Sequence, residues 1–120
     1  MIKKPSKHKN IKESRIVNGK LKYFDSKKEA RRFDELYLLL RAKKISELDI
    51  QPEFILCDTQ RHGGITYPKV KYIADFMYKR NGKTIVEDVK SDHTRGLATY
   101  RVKIKWFLSI YGSSLVFKET

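Results

Sequence analysis

The sequence has 120 residues, enough for one domain with one modest hydrophobic core, and its only cysteine, Cys57, excludes an internal disulfide and a cysteine-based zinc site. It carries 27 Lys and Arg residues against 14 Asp and Glu residues, and the net charge of +13 favours a polyanion such as DNA or RNA as the partner, ahead of an anionic membrane. No apolar run approaches the roughly 20 residues of a membrane span and no signal-peptide pattern follows the basic start, so we expect a cytoplasmic protein without a membrane partner.

The first 22 residues read as a basic arm, and residues 23–120 read as a single domain. Segments of this kind are usually disordered alone and become ordered on nucleic acid or on a partner subunit. A solubilising tail is the alternative, and the residues around Asn18-Gly19 also fit a short hairpin. If the arm binds DNA, we expect contacts from its first four basic residues, Lys3, Lys4, Lys7 and Lys9.

A helix is predicted from about Ser26 to about Lys44, because Ser26 and Glu29 form a capping-box pattern. At about 100° per residue, a core-facing stripe runs along one side of this helix, and Arg32 is expected to point elsewhere. Glu29 begins the stripe, so its carboxylate either caps the helix or reaches into a site on the sheet. The stripe consists of Glu29, Phe33, Leu36 and Leu40.

The segment after this helix is predicted to hold one strand and one loop. Residues 45–49 read as a connection, and residues 53–57 as a strand that follows Gln51-Pro52. Residues 58–68, which contain Gly63-Gly64, read as an exposed loop or as a wide hairpin.

Two β-rich runs flank Asn81-Gly82, the dipeptide most typical of a two-residue hairpin turn. Counting outward from this turn pairs Arg80 with Lys83 and Met77 with Val86, and it places Asp75 opposite Asp88. Alternation then groups two sets of side chains on opposite faces of the sheet. One set contains Ile73, Asp75, Met77, Val86, Asp88 and Lys90, and the other contains Ala74, Phe76, Ile85 and Val89.

Asp75 and Asp88 are the candidate metal ligands of this hairpin. Directly opposed side chains have Cβ atoms roughly 4.5–5.5 Å apart, where two carboxylates repel each other. Acids within apolar runs are rarely buried without a partner or a metal. The register therefore predicts a cation between the two aspartates, and the alternative is a solvated sheet face.

The C-terminal part is predicted to contain a helix over residues 97–111 and a strand over residues 114–118. The core stripe of the helix consists of Tyr100, Ile104, Phe107 and Tyr111. Lys103 lies at the edge of that stripe, with Arg101 and Lys105 further out. The overall order α-β-β-β-α-β predicts an α/β fold in which helices flank a small mixed sheet.

The aspartates and Lys90 together suit phosphodiester hydrolysis. Oxygen ligands favour Mg²⁺ or Mn²⁺, ions that keep bound water and also accept a phosphate oxygen. An ammonium on the same strand face, from Lys90, stabilises negative charge that develops on the phosphate. We find no support for a serine or cysteine nucleophile.

Asp75, a hairpin and then Asp88-Val89-Lys90 resemble the PD-(D/E)XK nuclease pattern, although Ala74 stands where that pattern usually has proline. Four segments over about residues 24–116 resemble a family of small phage nucleases long catalogued as a domain of unknown function. In chain order they read Phe-Asp-Ser-Lys-Lys-Glu-Ala-Arg-Arg-Phe, Gln-Pro-Glu-Phe, Tyr-Ile-Ala-Asp-Phe and Val-Glu-Asp-Val-Lys-Ser.

The resemblance implies a restriction-endonuclease-like core and specific roles for several residues. It makes Asp75 and Asp88 metal ligands, with the Val89 carbonyl as an additional ligand, and it makes Lys90 the catalytic lysine. In the Holliday-junction-resolvase branch a glutamate of the first helix completes the site, which favours the functional role for Glu29. Lys103 corresponds to a basic residue near the scissile phosphate, and Arg101 and Lys105 extend the expected DNA contacts.

Glu87 is an open alternative to Asp88. It precedes Asp88 and would replace it if the hairpin register shifted by one residue, but only Asp88 keeps the one-residue spacing to Lys90.

The expected activity is that of a DNA endonuclease dependent on Mg²⁺ or Mn²⁺. The resemblance implies a homodimeric resolvase that cuts Holliday junctions or other branched DNA, located in the host cytoplasm if the protein is phage-encoded. One alternative is a less selective phage nuclease of recombination, replication or packaging. The other is a non-catalytic, basic DNA-binding module.

Overall fold

The structure, a computed structural model, describes residues 13–120 apart from the side chain of Asp92. The DNA contacts predicted for Lys3, Lys4, Lys7 and Lys9 lie outside the described residues. The elements in chain order are β1 (Glu13–Val17), β2 (Lys20–Phe24), α1 (Lys27–Arg41), β3 (Ser46–Ile50), β4 (Glu53–Cys57), β5 (Gln60–His62), β6 (Ile65–Tyr67), β7 (Val70–Ile73), β8 (Phe76–Arg80), β9 (Lys83–Asp88), α2 (Asp92–Gly96), α3 (Ala98–Tyr111) and β10 (Val116–Glu119).

A four-stranded mixed sheet lies between two helices, so the prediction of an α/β fold with a small mixed sheet is confirmed. Its strand order is β10-β9-β8-β3, with β10 parallel to β9 and the other neighbours antiparallel. The helix α1 packs on one face, in a buried cluster that consists of Phe24, Ala30, Phe33, Leu36, Ile45, Phe76, Tyr78 and Val89. The helix α3 packs in a second cluster, which consists of Leu56, Tyr72, Ala74, Val86, Ile104 and Phe107.

Two long segments of chain form a bent ribbon that continues this sheet. The strand β3 pairs with β8, and β4 pairs with β7. The bend is bridged by the Gln51 amide, which donates to the Asp75 carbonyl at 2.9 Å, and by the Ala74 amide, which donates to the Pro52 carbonyl at 3.1 Å. The ribbon ends in the β5–β6 hairpin, so of the two alternatives for residues 58–68 the hairpin is correct.

The prediction that residues 45–49 form a connection is wrong, because Ser46–Ile50 is the edge strand β3. The ladder of β3 shifts register between Ser46 and Asp49, and Glu47 within it has a φ of 53°. The alternation of polar and apolar residues in this strand covers only Glu47 to Ile50, four residues, which is the short limit of what indicates a strand in a sequence.

The β8–β9 hairpin has the predicted turn and register. Asn81 and Gly82 have φ values of 51° and 74°, the left-handed conformation that a type I′ turn requires at both central residues. Arg80 pairs with Lys83 and Met77 with Val86, as predicted, and the ladder ends at Phe76 and Glu87. Asp75 and Asp88 are the next residues after this last pair, so they lie one position beyond the end of the ladder.

The predicted faces of Ile73 and Ala74 are wrong. Asp75 occupies a bend between β7 and β8, and this bend interrupts the alternation of side chains. Ala74 therefore packs in the α3 cluster while Phe76 packs in the α1 cluster, and Ile73 is exposed.

Part of the predicted arm belongs to an ordered hairpin. The strands β1 and β2 pair around Asn18-Gly19, which confirms the short hairpin, and residue 22 lies within β2. The hairpin rests on α1, where Arg15 Nε donates to Asp34 Oδ1 at 2.9 Å, and Val17 packs against the α1 cluster.

Both long helices bury the predicted stripes. In α1, the Ser26 hydroxyl accepts a hydrogen bond from the Glu29 amide at 3.1 Å, and the buried residues are Glu29, Ala30, Phe33 and Leu36. In α3, Ile104 and Phe107 are buried, with Tyr100 and Tyr111 packed beside them. Within residues 13–120 no helix has the length and apolar character needed to cross a bilayer.

Candidate active site

A cluster of acids lies where β9 ends, beside the bend that precedes β8 and the first turn of α1. Asp88 is the last residue of β9, Asp75 occupies the bend, and Glu29 belongs to the first turn of the helix. All three side chains are buried, and Lys90, two residues after the strand, is half-buried beside them. Four residues that the sequence analysis selected are therefore brought to one place.

Lys90 links the two aspartates. Its Nζ lies 3.1 Å from Asp88 Oδ1 and 3.9 Å from Asp75 Oδ2. The backbone amide of Val89 also donates to Asp75 Oδ2, at 2.7 Å. The two carboxylates thus approach the same ammonium, as the hairpin register predicts. The amide of Val89 is used within the cluster, and a metal contact from its carbonyl stays a prediction.

Tyr72 holds the other oxygen of Asp88. Its hydroxyl donates to Asp88 Oδ2 at 2.5 Å, and both side chains are buried. Burial and the neighbouring Asp88 carboxylate raise the pKa of Tyr72, which keeps the phenol protonated as a hydrogen-bond donor. Sequence reasoning did not assign this role. A tyrosine three residues before a candidate ligand, within an apolar strand, is the signal that was present.

Glu29 faces the cluster and does not simply cap the helix. Burial and the nearby Asp25 raise the pKa of its carboxyl, whereas Lys90 and Asp75 lower it. Lys90 and Asp75 are therefore close enough to interact electrostatically with the Glu29 carboxylate. Its Oε1 is buried and has no hydrogen-bond partner among the described residues. A carboxylate oxygen in this state is available to a cation.

The cluster holds more acid than base. Burial and the adjacent Asp88 and Glu29 carboxylates together raise the pKa of Asp75 to about 9. Burial lowers the pKa of Lys90, but Asp75, Asp88 and Glu29 raise it more strongly, so this amine stays charged. One ammonium among three carboxyl groups makes the cluster rich in acids, and a divalent cation bound to the aspartates would favour their ionised form.

Two oxygens of the cluster fit a metal ion. Glu29 Oε1 and Asp88 Oδ1 are buried without a hydrogen bond, although the Lys90 ammonium lies 3.1 Å from the latter. No group of three or more His, Cys, Asp or Glu side chains among residues 13–120 is already arranged as a metal site. Carboxylate oxygens are the ligands that Mg²⁺ and Mn²⁺ prefer, so the residues that could hold such an ion here are Asp75, Asp88 and Glu29.

Glu87 belongs to a different network, on the α1 side of β9. Arg32 forms two hydrogen bonds with its carboxylate, from Nε to Oε2 at 2.5 Å and from the second terminal nitrogen to Oε1 at 3.0 Å. Tyr78 and Thr120 donate to the same carboxylate at 2.7 Å and 3.0 Å. Because the register is the predicted one, Asp88 and not Glu87 faces Asp75 and Lys90.

Arg32 was expected to point away from the core, and that expectation is wrong. At about 100° per residue it lies about 60° from Glu29 around the helix, close enough to reach the sheet with a long side chain. Its acid partner is 55 residues away in sequence, so no local pattern indicates the pair.

The basic residues predicted on α3 lie outside the acid cluster. Arg101 and Lys105 line a cleft of about 310 Å³ next to Tyr100 and Glu119. Lys103 is exposed and does not line that cleft. Contacts of these residues with DNA stay predictions.

Comparison with known proteins places the chain in a family. No curated protein matches it. The model of a family described as "Protein of unknown function (DUF1064)" matches residues 7–116, nearly the whole sequence, including part of the basic arm. The chain therefore belongs to the DUF1064 family.

Proposed function

We propose that this protein is a divalent-metal-dependent DNA endonuclease of the PD-(D/E)XK type. One observation carries the proposal: Asp75 and Asp88, both buried, approach the same Lys90 ammonium at the end of the central hairpin. An acidic cluster of this kind in a chain of net charge +13 suits a metal ion that meets a polyanion.

The order of elements around the sheet supports the proposal. The helix α1 is followed by the sheet strands β3, β8 and β9, then by α3 and the parallel strand β10. This sequence of elements agrees with the α-β-β-β-α-β core that the PD-(D/E)XK resemblance implies. Asp88 ends β9 and Asp75 occupies the bend immediately before β8, next to the two strands where that resemblance expects the acids.

Asp75, Asp88 and Glu29 would hold Mg²⁺ or Mn²⁺, with the Val89 carbonyl as the further predicted ligand. When bound, such an ion supplies a water of lowered pKa and neutralises charge on the phosphate. The protein residues fix the remaining geometry. Val89 and Tyr72 hold one oxygen of each aspartate, at 2.7 Å and 2.5 Å, so that both carboxylates keep one orientation.

Lys90 acts on the phosphate as a charged hydrogen-bond donor. Its ammonium stands between the aspartates and is half-exposed, so it can reach a phosphate oxygen or the attacking water. A fixed positive charge at this place stabilises the negative charge that develops as the phosphodiester bond breaks.

The proposed substrate is branched DNA, above all four-way junctions, and the proposed assembly is a homodimer that cuts two symmetry-related strands. Both follow from the likeness to Holliday junction resolvases. A less selective phage nuclease would use the same cluster. A non-catalytic DNA-binding module would have no use for three buried acids, since they weaken the attraction for DNA and require neutralisation.

A nicking assay with and without Mg²⁺ tests the proposal. We expect Asp88→Ala to lower the cleavage rate by at least about 10²-fold, the size of effect seen when a group that stabilises the transition state is removed. Its affinity for DNA in EDTA should stay that of the wild type. The exposed Asp58 offers the matched control, because Asp58→Ala removes the same charge away from the cluster. Normal cutting by the Asp88 variant would overturn the assigned site.

The substrate is tested by comparing a four-way junction with a linear duplex of the same sequence. A resolvase binds and cuts the junction preferentially. Equal affinity and equal cutting of both would favour the less selective nuclease.

A further inference from the structure

A second concave surface lies on the α1 side of the sheet, at the same end as the acid cluster. This cleft has a volume of about 490 Å³, and its walls come from α1, from the segment after β9 and from the end of β10. We call it the α1 cleft. Its charged lining residues are Lys28, Arg31, Arg32, Lys118 and the acid Glu35, and Val89 and Thr120 complete the wall.

Most of the positive charge around the α1 cleft is not neutralised within the protein. Arg32 is the exception, because Glu87 and Glu35 both bind its guanidinium. Among the described residues, no acid forms an ion pair with Lys28, Arg31 or Lys118. Like charges gathered around a concavity repel one another, and an anion in the cleft would relieve that repulsion.

The α1 cleft adjoins the acid cluster. The Lys28 ammonium donates to the backbone carbonyl of Lys90 at 3.2 Å, and Val89 forms part of the wall. Lys90 points its ammonium to the aspartates on one side while its carbonyl is bound from the other side. A DNA strand that has one phosphate at the acid cluster therefore passes next to the α1 cleft.

We propose that the α1 cleft binds a backbone phosphate of the DNA strand whose neighbouring phosphate lies at Asp75, Asp88 and Lys90. The position of that strand rests on the proposed function, whereas the affinity of the cleft for a phosphate does not. Arg31 supplies the forked donor suited to a phosphate, and Lys28 and Lys118 supply point charges. A regular polyphosphate backbone is the ligand that would engage this cleft and the acid cluster together.

The cleft on α3 has a smaller excess of positive charge. Its lining contains three basic residues, Arg95, Arg101 and Lys105, and one acid, Glu119, which accepts a hydrogen bond from Tyr100 at 2.9 Å. The α1 cleft has four basic residues and one acid, Glu35, so its excess of basic residues is three against two. The α1 cleft is therefore expected to contribute more to DNA affinity than the α3 cleft, where the sequence alone predicted the DNA contacts.

The test measures binding without cleavage. The full chain with Asp88→Ala is titrated onto a fluorescent linear duplex in EDTA, at several salt concentrations. One variant adds Arg31→Ala and Lys118→Ala, which leaves the contact of Lys28 with the Lys90 carbonyl intact. The matched control adds Lys44→Ala and Lys83→Ala, which removes the same charge from exposed sites, three residues after the end of α1 and at the start of β9.

We expect the cleft variant to lose about tenfold in affinity and the control to lose less than about threefold. The slope of log affinity against log salt should become shallower by about 0.9 in the cleft variant, the value for one lost phosphate contact on duplex DNA. Equal losses in the two variants would show that only total charge matters and would overturn the proposal. So would binding to anionic phospholipid vesicles that depends on Arg31 and Lys118 when DNA binding does not.

Adding the unsubstituted chain to this set, assayed for cutting with Mg²⁺, separates this proposal from the nuclease proposal. If the cleft variant loses affinity relative to the control but the unsubstituted chain does not cut DNA with Mg²⁺, the cleft proposal stands and the nuclease proposal fails. If it cuts DNA and the cleft variant binds as well as the control, the nuclease proposal stands and the cleft proposal fails.

Discussion

The two Asn-Gly hairpins of this protein share a turn but differ in almost everything else. In β1–β2, Asn18 and Gly19 have φ values of 51° and 76°; in β8–β9, Asn81 and Gly82 have 51° and 74°. Half of the strand residues in the first hairpin are exposed, whereas the second hairpin ends in a buried run at the centre of the sheet. Two residues therefore determine the turn, whereas the elements that pack on the strands determine whether the hairpin is exposed or buried.

Each hairpin is also joined to α1 by an arginine and a carboxylate. Arg15 of β1 binds Asp34 through two hydrogen bonds, of 2.9 Å and 3.0 Å, at an exposed site. Arg32 binds Glu87 of β9 through two hydrogen bonds of 2.5 Å and 3.0 Å, and this carboxylate is fully buried. The pairs have similar geometry in different surroundings, so they separate the effect of burial from that of geometry.

The largest difference is expected when the carboxylate of each pair is removed. Glu87→Ala should lower the free energy of unfolding by about 3 kcal/mol, because it leaves Arg32 and Tyr78 without their buried acceptor. The value lies at the lower end of the range for broken buried pairs, since Arg32 keeps Glu35 at 2.8 Å. Asp34→Ala should leave the urea midpoint almost unchanged, because exposed pairs contribute little. Urea titrations of both variants measure this, and equal losses would contradict the comparison.

The acid dependence of stability provides the control for Glu87. Although burial raises the pKa of Glu87, hydrogen bonds from Arg32 and Tyr78 lower it more, and the net pKa lies below its usual value. A carboxyl with a lowered pKa contributes stability above its unfolded pKa and loses that contribution as the pH falls through its folded pKa. The difference between the wild type and Glu87→Gln should therefore be largest near neutral pH and should shrink in acid.

An intermediate effect is expected from the buried tyrosine that binds Asp88. Tyr72→Phe removes the donor to Asp88 Oδ2 and frees the carboxylate to rotate. We expect the affinity for Mn²⁺, measured by calorimetry without DNA, to fall about 10–100-fold, as for other groups that orient metal ligands. Tyr23→Phe in the exposed part of β2 is the matched control and should leave the affinity unchanged. Unaltered metal binding by the Tyr72 variant would show that the hydroxyl does not orient a ligand.

The smallest effect is expected from the turn glycines. Ala at either position must adopt a positive φ, at a cost of about 1–2 kcal/mol. Gly82→Ala should lower the global free energy of unfolding by that amount, because β8–β9 is the centre of the sheet. Gly19→Ala should mainly increase amide hydrogen exchange within β1–β2, which opens locally. Equal changes in global stability would mean that the two hairpins unfold as one unit.

The sequence was sufficient for features that are encoded locally. The Asn81-Gly82 turn, its register and the core stripes of α1 and α3 follow from dipeptide conformation and from periodicity. These local features are enough to predict that Asp75, Asp88 and Lys90 lie together.

Features that depend on distant partners were missed for a physical reason. Alternation along a strand does not reveal where the strand changes its pairing partner, so the bend at Asp75 and the face of Ala74 were not found. The contacts of Arg32 with Glu87 and of Tyr72 with Asp88 span 55 and 16 residues, and no periodic pattern records such pairs. Strand β3 was missed because its alternation covers only four residues, Glu47 to Ile50, beside an irregular ladder.

The bend at Asp75 makes the position of this carboxylate sensitive to chain length. The residues before it are held by β4 and those after it by β9, and Gln51 binds its carbonyl at 2.9 Å. One residue inserted beside Asp75 would shift the register of either the β4–β7 ladder or the β8–β9 ladder by one residue. Either shift would move the Asp75 carboxylate away from Asp88 and Lys90. One residue inserted at the β5–β6 tip only enlarges an exposed loop. Homologues that keep this site are therefore expected to vary in length at that tip and to keep a constant spacing around the bend.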